Sequence, residues 1–94
     1  MIGILVCGDN HFILEGPRPD TEAAKFLARY WSVIQIGRRM PRELQNWTIV
    51  TRAFRENLEW AIVVPGDGEM NPAVAVLLNE LAARGIAIER ADEN

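Results

Sequence analysis

Two short polar stretches hold the side chains of this sequence that are best suited to chemistry. Residues 8–11 (Gly-Asp-Asn-His) follow one apolar run, and residues 66–69 (Gly-Asp-Gly-Glu) follow another. Carboxylate oxygens and imidazole nitrogens are common ligands of divalent metal ions, and both groups also act as general acids and bases. The candidate metal ligands are therefore Asp9, His11, Asp67 and Glu69.

The first stretch places Asp9 and His11, an Asp-x-His pair, directly after a predicted strand. It resembles the first metal-ligand motif of the calcineurin-like metallophosphoesterases, and the resemblance implies that these two side chains hold a catalytic metal ion. The resemblance covers about ten residues, and the chain has one histidine in total, so the later His-containing motifs of that family are absent. Two-metal hydrolysis needs those further ligands. The alternative interpretation is a hairpin tip, with His11 beginning the second strand.

The second stretch, residues 66–69, lies between a predicted strand and a predicted helix, where open α/β sheets bind ligands and helix N-termini attract anions. Neither nucleotide-binding fingerprint is present. Asp67 and Glu69 would repel phosphate, so Mg²⁺ fits this loop better. If the strands ending at Cys7 and Val64 run parallel, the two loops converge at one sheet edge. Otherwise they are two polar turns.

Charge is distributed unevenly along the chain, whose formal net charge is −3. Residues 38–55 carry five arginines against Glu43 alone, and residues 56–94 carry two arginines against eight acidic side chains. A basic middle and an acidic end can steer self-association or attract an anionic partner. The interface candidates in the basic segment are Arg38, Arg39 and Arg42.

The same segment, Arg38 to Arg55, also contains Trp47 and Phe54. Arginines interleaved with aromatic rings bind single-stranded nucleic acid by charge and stacking, which gives a third functional hypothesis. A domain specialised for nucleic acid is normally basic, whereas this chain has a pI of about 5.1. We therefore do not expect nucleic acid as a partner.

The N-terminal half predicts a β-hairpin, a helix and further strands. Residues 1–7 and 12–14 form the hairpin around a polar tip. A helix follows with Asp20 or Thr21 as its N-cap and ends near residues 31–32, with Lys25 and Arg29 one turn apart on its solvent side. A third strand is predicted at residues 33–37. Residues 44–57 fit two patterns, a helical stripe or, as we favour, a strand at 47–53 followed by a turn.

The clearest prediction is a βαβ unit from Leu58 to Arg90. Its helix has Asn71 as N-cap, Pro72 in the first turn and Gly85 after its end, and a strand is predicted at residues 86–88. The side of this helix away from its main apolar face is weakly polar, which is typical of a helix covered on two sides. The interface candidates on this side are Val76 and Ala83.

Taken together, 94 residues with 49% hydrophobic content predict one globular domain over residues 1–90 and a frayed acidic tail over residues 91–94. The fold class is α/β, with α+β as the alternative: a single mixed sheet of five to six strands, with an N-terminal hairpin, two main helices and the C-terminal βαβ unit. No apolar run approaches the roughly 20 residues that span a bilayer, and the single cysteine suits a reducing cytoplasm.

The leading functional hypothesis is a non-catalytic interaction or regulatory module that forms homo-oligomers, in the simplest case a homodimer, or binds another protein. The alternative is a small metal-dependent hydrolase or acidic-ligand site built on Asp9, His11, Asp67 and Glu69. No cofactor is expected except, in that alternative, a divalent metal ion. The leading hypothesis predicts that the protein is not an enzyme.

Overall fold

The computed structural model of the protein describes residues 1–30, 48–50 and 57–91, with residues 48–50 described by their backbone. The helices and strands are labelled here in chain order. They are β1 (Ile2–Cys7), β2 (Asn10–Glu15), α1 (Thr21–Arg29), β3 (Thr48–Val50), β4 (Leu58–Val64), α2 (Pro72–Ala83) and β5 (Ile88–Arg90).

The strands form one mixed sheet in the order β3-β2-β1-β4-β5. β1 pairs antiparallel with β2, which pairs antiparallel with β3. On its other side β1 pairs parallel with β4, which pairs parallel with β5. The antiparallel half begins with a tight hairpin, whereas the parallel pair β4 and β5 is joined by the crossover helix α2. β1 is therefore the strand at which the two halves of the sheet meet.

Both helices begin at a side chain that caps them. Asp20 before α1 and Asn71 before α2 each accept a hydrogen bond from a backbone N–H of the first turn, at 2.8 Å in both cases. Pro72 occupies the first turn of α2, and Gly85 follows its end with a φ of +89°. These are local signals, which is why the sequence predicts both ends of α2 correctly. Among the described residues, no helix has the length and apolar character needed to cross a bilayer.

Successive strand residues point to opposite faces of the sheet, and both faces carry buried apolar side chains. Each face is covered by one helix. α1 packs through Ala24 and Leu27 on one face, and α2 packs through Val74, Leu78 and Leu81 on the other. The strand residues buried on the α1 face are Leu5, Phe12, Leu14, Trp60, Ile62 and Val64. Those buried on the α2 face include Ile4, Val6, Ile13 and Ala61.

The predicted architecture is confirmed in outline as a mixed α+β fold, in which one mixed sheet contains the hairpin and the βαβ unit and packs against two helices. The predicted count of five to six strands goes beyond what the structure shows. Four strands are described with side chains, β3 is described by its backbone alone, and the strand predicted at residues 33–37 lies outside the described residues. β3 falls within the predicted strand at 47–53, in agreement with that prediction over the helical alternative.

Three predicted boundaries need correction. The last strand was predicted at residues 86–88, but β5 begins at Ile88, because the N–H of Ile86 still donates to Leu81 O of α2 at 3.0 Å. Ala91 was assigned to the frayed tail, yet it is buried and its N–H donates to Val63 O at 2.8 Å. The first helix was predicted to end near residues 31–32, whereas α1 ends at Arg29. The rest of the predicted tail, residues 92–94, lies outside the described residues.

Candidate functional site

The two polar loops identified in the sequence meet at one edge of the sheet. β1 and β4 are parallel neighbours and end together, with Cys7 paired to Val64. Just beyond these strand ends, the backbone N–H of Asp9 donates to the carbonyl oxygen of Asp67 at 2.9 Å. The carboxyl ends of two parallel strands, the usual place for a ligand in such sheets, are therefore bridged by a backbone hydrogen bond.

Two glycines allow the loops to approach this closely. Gly8 and Gly68 have φ values of +58° and +81°, a region that side-chain-bearing residues rarely adopt. A Cβ built on Gly8 would overlap the carbonyl oxygen of Asp67, and one built on Gly68 would lie 2.7 Å from Oδ2 of Asp9. The Asp9 carboxylate therefore lies directly against the backbone of the second loop.

Cys7 lies beneath these loops on the α1 face of the sheet. Its Sγ is 3.5 Å from the carbonyl oxygen of Pro65, to which the thiol donates. Burial raises the pKa of Cys7, and the negative charges of Asp67 and Asp9 raise it further. The thiol is therefore neutral at pH 7, which makes Cys7 a poor nucleophile and a poor metal ligand.

His11 and Glu69 do not join the two aspartates in one metal-binding group. His11 pairs with Val6 in the hairpin, so its side chain lies on the α2 face, opposite to Cys7, where it lines a groove beside α2. Glu69 is exposed in the segment that leads into α2. Within residues 1–30, 48–50 and 57–91, no group of three or more His, Cys, Asp or Glu side chains is arranged to hold a metal ion.

The predicted interface residues fall into two groups. Val76 and Ala83 are exposed on α2, and Val76 is 54% exposed. Arg38, Arg39 and Arg42 lie outside the described residues, as does most of the segment proposed for nucleic acid. The outward side of helix α2 is thus the part of the predicted interface that the structure describes.

A cavity that the sequence did not predict lies between α1 and the strand ends, on the α1 face of the sheet. Its volume is about 230 Å³, and its lining includes Lys25 and Arg29. The sequence predicts both cations on the solvent side of the helix. The pair of like charges one turn apart was the only sequence feature that pointed to this cavity. The cavity itself depends on how α1 lies over β1 and β4, which the sequence does not reveal.

Comparison with protein-family models, with curated proteins and with solved structures gives no significant match to this chain.

Proposed function

We propose that this protein is a non-catalytic interaction module that self-associates through the outward face of α2. The observation that carries the proposal is Val76, which is 54% exposed in the middle of the helix. Apart from Val76, Met1 is the other large hydrophobic side chain that is exposed within the described residues. Val76 belongs to a continuous surface with the exposed alanines of α2 and an apolar groove beside the helix, and contiguous apolar surface of this kind marks interaction sites.

The outward face of α2 forms one stripe at helical spacing. Its members are Ala73, Val76, Glu80 and Ala83, all exposed. Alanine side chains let two helices approach within the usual interaxial distance of roughly 8–10 Å. In a two-fold symmetric pair, the stripe of one copy would pack on the same stripe of the other. Val76, near the centre of the helix, would then lie close to its own copy.

An apolar groove beside α2 continues this surface. The groove encloses about 250 Å³ and is lined mainly by Ile4, Ile13, Val74 and Leu77. Ala73 belongs both to the groove and to the stripe, so the two form one continuous surface. A second copy seated on the stripe would extend over the groove and bury more apolar area than the helix alone provides.

Charge along the sequence favours a copy of the same chain as the partner. Residues 38–55 are strongly basic and residues 56–94 are strongly acidic, so two copies in antiparallel arrangement would place opposite charges near each other. Arg38, Arg39 and Arg42 stay part of the predicted interface on this basis alone. The single cysteine supports a reducing, cytoplasmic setting for this assembly.

Replacing Val76 with lysine is expected to convert the self-associated protein to monomers. A lysine at the centre of the stripe would bury two ammonium groups against each other, which we expect to raise the dissociation constant by about 100-fold or more. Size-exclusion chromatography with light scattering measures the mass directly.

Ala82→Lys is the matched control, because Ala82 is exposed on the same helix but on a different side from the stripe. This control is expected to keep the mass of the unmodified protein. Equal masses for the unmodified protein and both variants at every concentration would contradict the proposal.

A second candidate function is a divalent-metal or acidic-ligand site, with hydrolysis as its chemistry, built on Asp9 and Asp67. His11 and Glu69, the other two predicted ligands, do not join this pair. The observation in its favour is the 2.9 Å hydrogen bond that holds Asp9 and Asp67 at the carboxyl ends of parallel strands. Two carboxylates at such an edge suit a hard cation such as Mg²⁺ or Mn²⁺.

This second candidate predicts that Mg²⁺ or Mn²⁺ raises the melting temperature of the unmodified protein. The increase should disappear in Asp9→Asn, which removes a carboxylate charge and keeps the backbone bond to Asp67. Glu22→Gln serves as the control, since Glu22 is exposed in the first turn of α1. An unchanged melting temperature with both ions and with Zn²⁺ would exclude the site.

A further inference from the structure

The cavity between α1 and the sheet lies where the carboxyl ends of β1 and β4 meet. Cys7 and Val64 line it from the two strand ends, and Pro65 lines it from the following loop. α1 contributes Lys25, Ala28 and Arg29, which share one side of the helix at spacings of three and four residues. The cavity therefore combines an α/β ligand position with two cationic side chains.

The two cations lack acidic partners in the part of the chain that the structure describes. Among the described residues, Arg18 forms an ion pair with Glu89 at 3.0 Å. No described carboxylate lies within ion-pair distance of Lys25 or Arg29. Like charges one turn apart on a helix repel each other, so their proximity has a small cost in stability. An anion bound between them would remove that repulsion and accept hydrogen bonds from both.

We propose that this cavity binds a small phosphate-bearing anion, with the phosphate group between Lys25 and Arg29. Two neighbouring cations match the charge of a phosphate dianion, and the guanidinium of Arg29 can bind two of its oxygens at once. The proposal is independent of self-association, because the cavity lies on the opposite face of the sheet from α2.

Size and surrounding charge restrict the rest of the ligand. The cavity encloses about 230 Å³. That space holds a phosphate and a few carbon atoms, and it lies below the roughly 300–1,000 Å³ of sites for drug-sized ligands. Cys7 lines the cavity, and the negative charges of Asp9 and Asp67 reach its thiol from outside the lining. A second anionic group of the ligand next to Cys7 would therefore be repelled. Free phosphate and small phosphate monoesters whose organic part is uncharged share the chemistry that fits.

The test is calorimetric titration of the full chain with inorganic phosphate, glycerol phosphate and acetate at constant ionic strength. We expect saturable binding of a phosphate, with acetate much weaker. Arg29→Gln and Lys25→Gln should each weaken phosphate binding by about tenfold, the effect of losing one charge-assisted hydrogen bond. Tighter binding of glycerol phosphate would identify an ester as the ligand, and tighter binding of inorganic phosphate would identify the free ion.

Arg90→Gln is the matched control, because Arg90 is exposed on β5 and lies on the α2 face of the sheet together with Ile88. This variant should bind phosphate as the unmodified protein does. Both pocket variants change partly or fully exposed side chains, so circular dichroism should show unchanged folding. Absence of saturable binding by either phosphate would overturn the proposal, as would equal affinities in the pocket variants and the control or acetate affinity equal to that of phosphate.

Discussion

Replacing Trp60 with alanine is expected to lower the free energy of unfolding by about 3–5 kcal/mol, the usual effect of deleting a large buried aromatic side chain. Trp60 is 3% exposed in the core on the α1 face. Its indole Nε1–H donates to the carbonyl oxygen of Gly16 at 3.0 Å, which ties β4 to the loop after β2. A small domain has a total stability of about 5–15 kcal/mol, so this variant would lie near the limit of folding.

The neighbouring strand β1 has no side chain at Gly3 that could fill the space left by the Trp60 ring. Gly3 pairs with Trp60 across β1 and β4, and a Cβ at Gly3 would overlap the indole ring. The ring therefore occupies the space that a side chain on β1 would fill. Because Gly3 has no side chain to move into the vacated volume, we expect most of the cavity to remain in the alanine variant.

Urea unfolding followed by circular dichroism measures the effect. Trp60→Phe is the comparison, since it retains an aromatic ring but loses the hydrogen bond to Gly16, and we expect it to cost about 1–2 kcal/mol. A loss below about 1 kcal/mol for Trp60→Ala would show that this side chain does not anchor the core.

Gly8→Ala is expected to lower the free energy of unfolding by more than about 2 kcal/mol, from two causes. The left-handed backbone of Gly8, with φ of +58°, costs a side-chain-bearing residue about 1–2 kcal/mol. In addition, the new Cβ would overlap the carbonyl oxygen of Asp67 and push apart the two loops at the sheet edge. The hydrogen bond from Asp9 to Asp67 would then be lost or lengthened.

Gly85→Ala separates these two causes. Gly85 has a similar φ of +89°, but a Cβ there would meet no atom within 4 Å. This control should therefore cost only the backbone part, about 1–2 kcal/mol. Hydrogen exchange of the Asp9 amide provides a second readout, since it should become faster in Gly8→Ala and stay unchanged in Gly85→Ala. If Gly8→Ala and Gly85→Ala lower the free energy of unfolding equally and leave the exchange rate of the Asp9 amide equal, the two loops are not closely joined.

The parts of the fold that the sequence predicts well depend on local signals. Asn71, Pro72 and Gly85 mark the ends of α2 through capping, a missing N–H and a positive φ, each of which acts within one helical turn. The hairpin of β1 and β2 likewise depends on the short turn at Gly8 and Asp9. Such features can be read from the sequence because the interacting groups are close along the chain.

The features that the sequence could not establish depend on distant pairing. Asp9 and Asp67 meet only because β1 and β4 are parallel neighbours, and strand order cannot be read from local patterns. The hydrogen bond from Trp60 to Gly16 spans 44 residues. The cavity beside Lys25 and Arg29 could not be predicted for the same reason, since the periodicity of α1 says nothing about the strand ends beside the helix.

Sedimentation equilibrium of the unmodified protein over a dilution series tests the proposed self-association most directly. We predict a mass of twice the 10.6 kDa of one chain at high concentration, with a fall toward 10.6 kDa on dilution. In Val76→Lys the lower mass should persist at every concentration, while Ala82→Lys should follow the unmodified protein. A constant mass of 10.6 kDa for the unmodified protein would contradict the proposal that α2 is where two copies meet.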